Sequence, residues 1–166
     1  MKKILVVGSP GSGKSTFSRR LSEITGIRLY HLDLIYHNPD RTTNSREYLI
    51  ERIRNIFMND SWIIDGLYMG TIEMRLKECD TVFFLDLSVE ECLKGVAERI
   101  GIPRSDMPWI EEEEDPEFME YVRNFVNNQK PRLEKLLEEN RDKNIIMLKS
   151  HEEADEYLEK LKDEEC

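Results

Sequence analysis

The chain has 166 residues, 39% hydrophobic and 35% charged, which is enough apolar material for one core and one domain spanning 1–166. With 24 Lys plus Arg against 34 Asp plus Glu, the net charge is −10. That balance argues against an extended nucleic-acid surface but leaves room for a small anion in a local basic pocket. Cys79, Cys92 and Cys166 form no C-x-x-C pair, so neither a zinc site nor a disulfide framework is expected, and a reducing compartment fits.

The first element expected is a doubly buried strand over 3–8, KILVVG. Its apolar run is only four residues before Gly8, short of the roughly 7–15 of a secretory segment. No run approaches the roughly 18 apolar residues of a membrane span. The expectation is a soluble, cytoplasmic protein without a membrane partner. A helix follows over 13–25, with Phe17, Leu21 and Ile24 on one face. Residues 27–32 read as a second strand ending at Asp33. His37 to Arg41 is loop chemistry. Asn44 or Ser45 can cap a helix carrying Leu49, Ile53 and Ile56.

Residues 61–65 give a third strand stopped by Gly66, and a short helix is expected over 71–78. A fourth strand covers 81–87, TVFFLDL. Ser88, with Glu91 three residues on, opens the next helix as a capping box. Regularity is lost around 101–116, where Gly101, Pro103, Pro108 and Pro116 bracket the acidic run Glu111 to Asp115. That stretch reads as a flap. A long helix over 116–140 should be kinked or divided by Pro131. A fifth strand over 144–148 and a last amphipathic helix complete the chain. Alternating strands and helices imply an α/β fold, a parallel five-stranded sheet with helices on both faces. Ligands in such sheets bind beyond the carboxyl ends of the strands.

Gly8-Ser9-Pro10-Gly11-Ser12-Gly13-Lys14-Ser15 matches G-x-x-x-x-G-K-S/T at every fixed position, between a buried strand and a helix. Glycines let the main chain approach the ligand, and inward amides with the helix N-terminus attract phosphate oxygens. Residues 8–16, Thr16 included, are therefore the expected ATP site. Lys14 reaches the β- and γ-phosphates, and Ser15 is the expected Mg²⁺ ligand.

Asp33 and Asp65 follow apolar strands. Either can hold a metal-bound water or accept the proton of an attacking hydroxyl; the plainer alternative is a cap or turn. Asp86, followed by Leu87 and Ser88, fits the cap. Phosphoryl transfer also needs positive charge on the migrating group. Arg99 and Arg104 flank the flap and can close over the phosphates. Arg41, Arg46 and Arg75 can clamp an acceptor, although a solvated surface role is the default for any arginine. His31, His37 and His151 show no metal spacing and read as structural. Tyr30, Tyr36 and Tyr68 can line an acceptor pocket, although core or rim is the plainer reading, and Trp109 can close over a ligand.

The phosphate loop, Leu32-Asp33-Leu34, Trp62-Ile63-Ile64-Asp65-Gly66 and Thr81 to Leu87 occur in an order that resembles the adenylate-kinase-like P-loop proteins of the FlaR-type topology-modulation group. The resemblance implies a P-loop NTPase of nucleoside-monophosphate-kinase type, with an acceptor-binding insertion at about 34–58 and a lid at about 100–116. It implies acceptor binding by Asp33, Asp65, Gly66 and Arg75, water-mediated metal binding by Asp65, and lid roles for Arg99 and Arg104. The chain departs from adenylate kinases where Gly66 leads into Leu67-Tyr68-Met69, and where the lid is short and acidic.

The leading expectation is a phosphotransferase that moves the γ-phosphoryl of Mg-ATP to a small-molecule acceptor, with Lys14, Asp33, Arg99 and Arg104 as the catalytic set. A nucleotide-binding regulator without acceptor kinase activity is the alternative, and simple triphosphate hydrolysis a third. The acceptor, the choice of ATP over GTP and the oligomeric state are not legible in the residues.

Overall fold

The computed structural model describes residues 1–166. Five strands, β1 (Lys3–Gly8), β2 (Leu29–His31), β3 (Trp62–Asp65), β4 (Thr81–Leu85) and β5 (Asn144–Leu148), form one sheet in the order β2-β3-β1-β4-β5. Every pairing is parallel. Seven helices connect them: α1 (Lys14–Thr25), α2 (Leu32–Tyr36), α3 (Arg46–Phe57), α4 (Met69–Glu78), α5 (Val89–Glu98), α6 (Pro116–Glu139) and α7 (His151–Glu165).

The period-2 alternation of side chains divides the core between two faces. Leu5, Val7, Trp62, Ile64, Val82 and Phe84 pack with α2, α3 and α4 and the later half of α6. Ile4, Val6, Ile63, Phe83 and Leu85 pack with α1, α5, α7 and the start of α6. Because β1 and β4 are fully buried on both faces, their sequences are continuous apolar runs rather than alternating ones.

Four boundaries differ from expectation. The second strand is only Leu29–His31, and α2 begins at once with Leu32, so Asp33 lies in a helix's first turn rather than at a strand end. The fourth strand stops at Leu85, short of 87. The short helix starts at Met69 rather than 71, because the turn after Gly66 is tighter. Helix α6 runs without a break through Pro131. Pro131 and Asn127 are both exposed, so water can satisfy the carbonyl that the missing N–H leaves free.

The strand order positions the site. Central β1 lies between β3 and β4, and the chain crosses from one side of it to the other after β3. In register, Val6 pairs with Asp65, and Asp65 with His31. The loop after β1 therefore sits beside the carboxyl ends of β3 and β2, at the sheet's switch point.

Candidate active site

The loop after β1 is shaped by a close approach to α5. Gly11 has φ 79°, and a Cβ on it would collide with the Cys92 carbonyl oxygen. A Cβ on Gly95, inside α5, would collide in turn with the Gly11 carbonyl. Gly95 thus carries the helix-interior cost of glycine so that the loop can rest on α5. Helix α1 opens from Gly13 with no side-chain cap and no acid in its first turn. By contrast α3, α5, α6 and α7 are closed by Ser45, Ser88, Asp115 and Ser150. The free N–H groups and positive end of α1 face a cleft of about 1610 Å³, lined by Gly8, Gly11, Gly13, Lys14, Ser15 and Thr16 among others.

Lys14 Nζ donates to the Ser9 carbonyl at 3.0 Å. Desolvation pulls its ammonium below the ordinary lysine value, against the attraction of Asp65 and Asp33. This is a half-buried cation without a direct carboxylate partner, the electrostatic condition that a polyanion relieves.

Two carboxylates converge on Ser15. Its Oγ lies 2.7 Å from Asp106 Oδ2 and 3.1 Å from Asp65 Oδ2, although a hydroxyl has one proton to donate. Asp65 and Asp106 are 4% and 5% exposed, so water does little to separate their charges. His31 Nδ1 sits 2.7 Å from Asp65 Oδ2, and Arg104 3.4 Å from Asp106. Burial raises the Asp106 pKa, but the Ser15 hydrogen bond and Arg104 outweigh it and hold the carboxyl below its ordinary value. One hydroxyl flanked by two carboxylates is a hard-oxygen set of the kind Mg²⁺ takes, beside the phosphate loop.

Asp33 faces the same cleft from α2 and accepts a 2.5 Å hydrogen bond from the Tyr68 hydroxyl. Burial and the Asp33 charge raise the Tyr68 pKa, so the phenol stays protonated and keeps donating. Tyr68 has φ 36°, a conformation that costs a bulky residue on the order of 1–3 kcal/mol. Arg75 holds that turn in place. It is 0% exposed and donates to the carbonyls of Gly66 (2.8 Å), Leu67 and Tyr68 (3.2 Å) and to Thr71 Oγ1 (3.1 Å). Burial pulls its guanidinium down to about 9, which leaves it charged at neutral pH. The expectation that Arg75 contacts substrate is therefore corrected. Its donors are engaged inside the fold, and it shapes the turn at Gly66 from behind.

The stretch at 100–116 is irregular and lines one side of the cleft. Arg99 and Arg104 both grip Glu111, at 3.2 and 3.5 Å. Desolvation and the neighbouring Arg104 lower the Arg99 pKa. Arg41 lies over the Trp109 ring at 5.0 Å and donates to the Ile110 carbonyl, joining the 37–43 loop to the lid. Asp86 is paired with Lys130 at 3.0 Å, and Arg46 donates to the Gly70 carbonyl, so neither enters the cleft.

The structure thus brings Gly8, Pro10, Gly11 and residues 13–16 together with Asp33, Asp65, Gly66, Arg99 and Arg104, and leaves out Arg75 and the buried Ser9 and Ser12. Sequence reasoning missed Asp106 and the pairing of His31 with Asp65, and named Tyr68 for the pocket without its bond to Asp33. Asp106 carries no local signal of its place in the site, because the hydroxyl it meets there, that of Ser15, is 91 residues away. His31 could have been found from the β-register that sets it beside Asp65.

No known family profile matches the chain. Adenylate kinase from Thermotoga petrophila is 32% identical over 88 residues, which is 52% of this chain and 39% of that protein. Adenylate kinase from Thermotoga neapolitana is 30% identical over a stretch of the same length. The chain spans about two fifths of the length of these curated relatives. Among solved structures, shikimate kinase from Acinetobacter baumannii in complex with shikimate superposes with a TM-score of 0.65 at 15% identity, covering 97% of this chain and 90% of that one. Shikimate kinase from Bacteroides thetaiotaomicron gives 0.60 at 13% identity, covering 96% and 95%. The fold is that of a P-loop NTPase of the nucleoside-monophosphate-kinase-like type, a five-stranded parallel sheet with helices on both faces. No helix is long and apolar enough to cross a membrane.

Proposed function

We propose that this protein is a Mg-ATP-dependent phosphotransferase that moves the γ-phosphoryl group to a small-molecule acceptor. The observation that carries the reading is the meeting of three parts in one cleft. These are an uncapped helix N-terminus with the desolvated Lys14, a lid bearing Arg99 and Arg104, and the Asp33–Tyr68 pair. The likeness to adenylate kinases over part of the chain supports it.

The free backbone N–H groups of the 8–16 loop bind the phosphates, and Lys14 neutralises charge on the transferring group. Arg99 and Arg104 bring two further cations to the same anion when they exchange Glu111 for phosphate oxygens. Ser15 would hold Mg²⁺, with Asp65 and Asp106 placed to bind it or its waters. When bound there, the ion would supply neutralisation of the phosphate charge. Asp33, oriented by Tyr68, accepts the proton of the acceptor hydroxyl. Closure of the lid over bound nucleotide excludes water, which limits loss of the phosphoryl group to hydrolysis.

Calorimetry with Mg-ATP, followed by an ADP-release assay over a panel of acceptors, tests the proposal. Lys14→Ala should weaken ATP binding at least about tenfold and abolish acceptor-stimulated turnover, with unfolding unchanged. Asp33→Asn should retain ATP affinity and lower stimulated turnover by about 10²–10⁴. No heat with Mg-ATP on folded protein refutes the site. Tight binding with no stimulation by any acceptor supports the nucleotide-sensing regulator instead.

A further inference from the structure

We propose that Asp106, carried by the lid, is a positioning residue for the metal ligand Ser15, so that docking of the lid and binding of the divalent ion are coupled. The proposal rests on the phosphotransfer reading above and concerns the regulation of that same site.

Ser15 has one proton and two carboxylates within reach. An ionised carboxylate only accepts, so Ser15 is the donor, and distance decides where its proton goes. Asp106 Oδ2 lies at 2.7 Å, the ordinary length for such a bond. Asp65 Oδ2 lies at 3.1 Å and is already engaged by His31 Nδ1 at 2.7 Å. The stronger hold on the Ser15 proton therefore belongs to the lid and not to β3. With that proton committed, the Ser15 oxygen offers only lone pairs, the state that a hard cation requires.

Asp106 acts in this way only while the lid is docked. It lies in the irregular 100–116 stretch, 91 residues from Ser15, yet is 5% exposed. Its neighbour Ser105 fixes the lid at a second point. Arg19 Nη1 donates to Ser105 Oγ at 3.1 Å, and Arg19 Nη2 donates to Thr16 Oγ1 at 3.3 Å. On α1, Arg19 follows Ser15 by four residues and Thr16 by three, so all three share one face of the helix. The lid tip at 105–106 lies along that face. Arg104 reaches Asp106 Oδ2 at 3.4 Å from within the lid and offsets part of its charge.

When the lid lifts, the Ser15 proton passes to Asp65 or to water, and its oxygen is no longer held in one orientation. Coupling between two binding events is reciprocal, so whatever the docked lid adds to ion affinity, the ion adds to docking. The loss of one charged hydrogen bond sets that coupling at about tenfold or more.

The test uses Mn²⁺ in place of Mg²⁺, because both suit oxygen ligands in octahedral geometry and free Mn²⁺ is counted by its paramagnetic resonance signal. With a β,γ-imido analogue of ATP present, Asp106→Asn should bind Mn²⁺ about tenfold more weakly than the parent, and Asp106→Glu should recover part of the loss. Reciprocally, Mn²⁺ should slow tryptic cleavage after Arg104 about tenfold in the parent and less than about twofold in Asp106→Asn. Arg19→Ala leaves the Ser15 and Asp106 side chains intact, and should free the lid and weaken Mn²⁺ binding in step. A lid freed in both variants with Mn²⁺ affinity unchanged, within about twofold, makes Asp106 a structural strap alone and overturns the proposal while phosphotransfer stands. Tighter Mn²⁺ binding by Asp106→Asn overturns it too, since Asp106 would then obstruct the ion. A folded parent that binds neither the analogue nor Mn²⁺ overturns phosphotransfer and this proposal together, a result readily told from the others.

Discussion

Replacing Arg75 by methionine separates a residue that shapes the site from one that touches ligand. Methionine fills much of the same space but donates nothing. The Tyr68 carbonyl keeps its bonds from the Thr71 amide (2.8 Å) and hydroxyl (3.1 Å), whereas the Gly66 and Leu67 carbonyls lose the buried donor that Arg75 gives them. A buried group left without its partner costs about 1–3 kcal/mol. Relief from burying a charge offsets part of this, because no carboxylate pairs with Arg75. The net expectation is a loss of about 3 kcal/mol, a large fraction of the roughly 5–15 kcal/mol that stabilises a typical domain. At about 2–4 °C per kcal/mol for this chain length, the melting temperature falls by about 6–12 °C. Urea unfolding followed by circular dichroism measures it, with Arg75→Lys as a partial rescue that keeps one charged donor. An unchanged urea midpoint, with loss confined to acceptor-stimulated turnover, would refute the reasoning and return Arg75 to the substrate.

Gly95→Ala pushes the new methyl group into the Gly11 carbonyl and so displaces the phosphate loop. Nucleotide affinity should fall about tenfold or more in calorimetry, despite a gain in helix propensity of about 1 kcal/mol at that position. Asp106→Asn removes a buried charge from the link between lid and phosphate loop. Without nucleotide, trypsin should cut after Arg104 about tenfold faster than in the parent protein, as the loss of a charged hydrogen bond implies. The Asp106 carboxyl is held below its ordinary value, so its contribution to lid docking is complete above that value and fades as pH falls through the native one. Lid protection against an acid-active protease should therefore decline in strong acid for the parent protein and stay flat for Asp106→Asn.

The parts of the fold that depend on local chemistry were legible in the residues. Four apolar positions before Gly8 could only be a doubly buried strand, and G-S-P-G-S-G-K-S carries its own turn and helix start. Asp33 and Asp65 were found because they follow apolar runs, although Asp33 sits in the first turn of a helix that no periodicity announced. Five residues are too few to show a 3.6-residue repeat. What stayed hidden was set by distant neighbours. Arg75 looks like any helix-surface arginine until the turn at 66–68 folds back over it. Asp106 is one acid among many until the lid lands on Ser15. Pro131 misled because the cost of a proline depends on whether water can reach the freed carbonyl.

The charge balance of the cleft bears on how firmly nucleotide should bind. The chain is acidic as a whole, yet Lys14, Arg99 and Arg104 converge on one place. Two of those three cations are already neutralised, by Glu111 and Asp106 of the lid itself. Phosphate binding at the lid is therefore an exchange of one anion for another, and its gain is smaller than a count of arginines suggests. Lys14 differs, because it meets only a carbonyl and is destabilised by its surroundings. The larger share of the affinity should accordingly come from the phosphate loop, with the lid contributing mainly to closure and the exclusion of water.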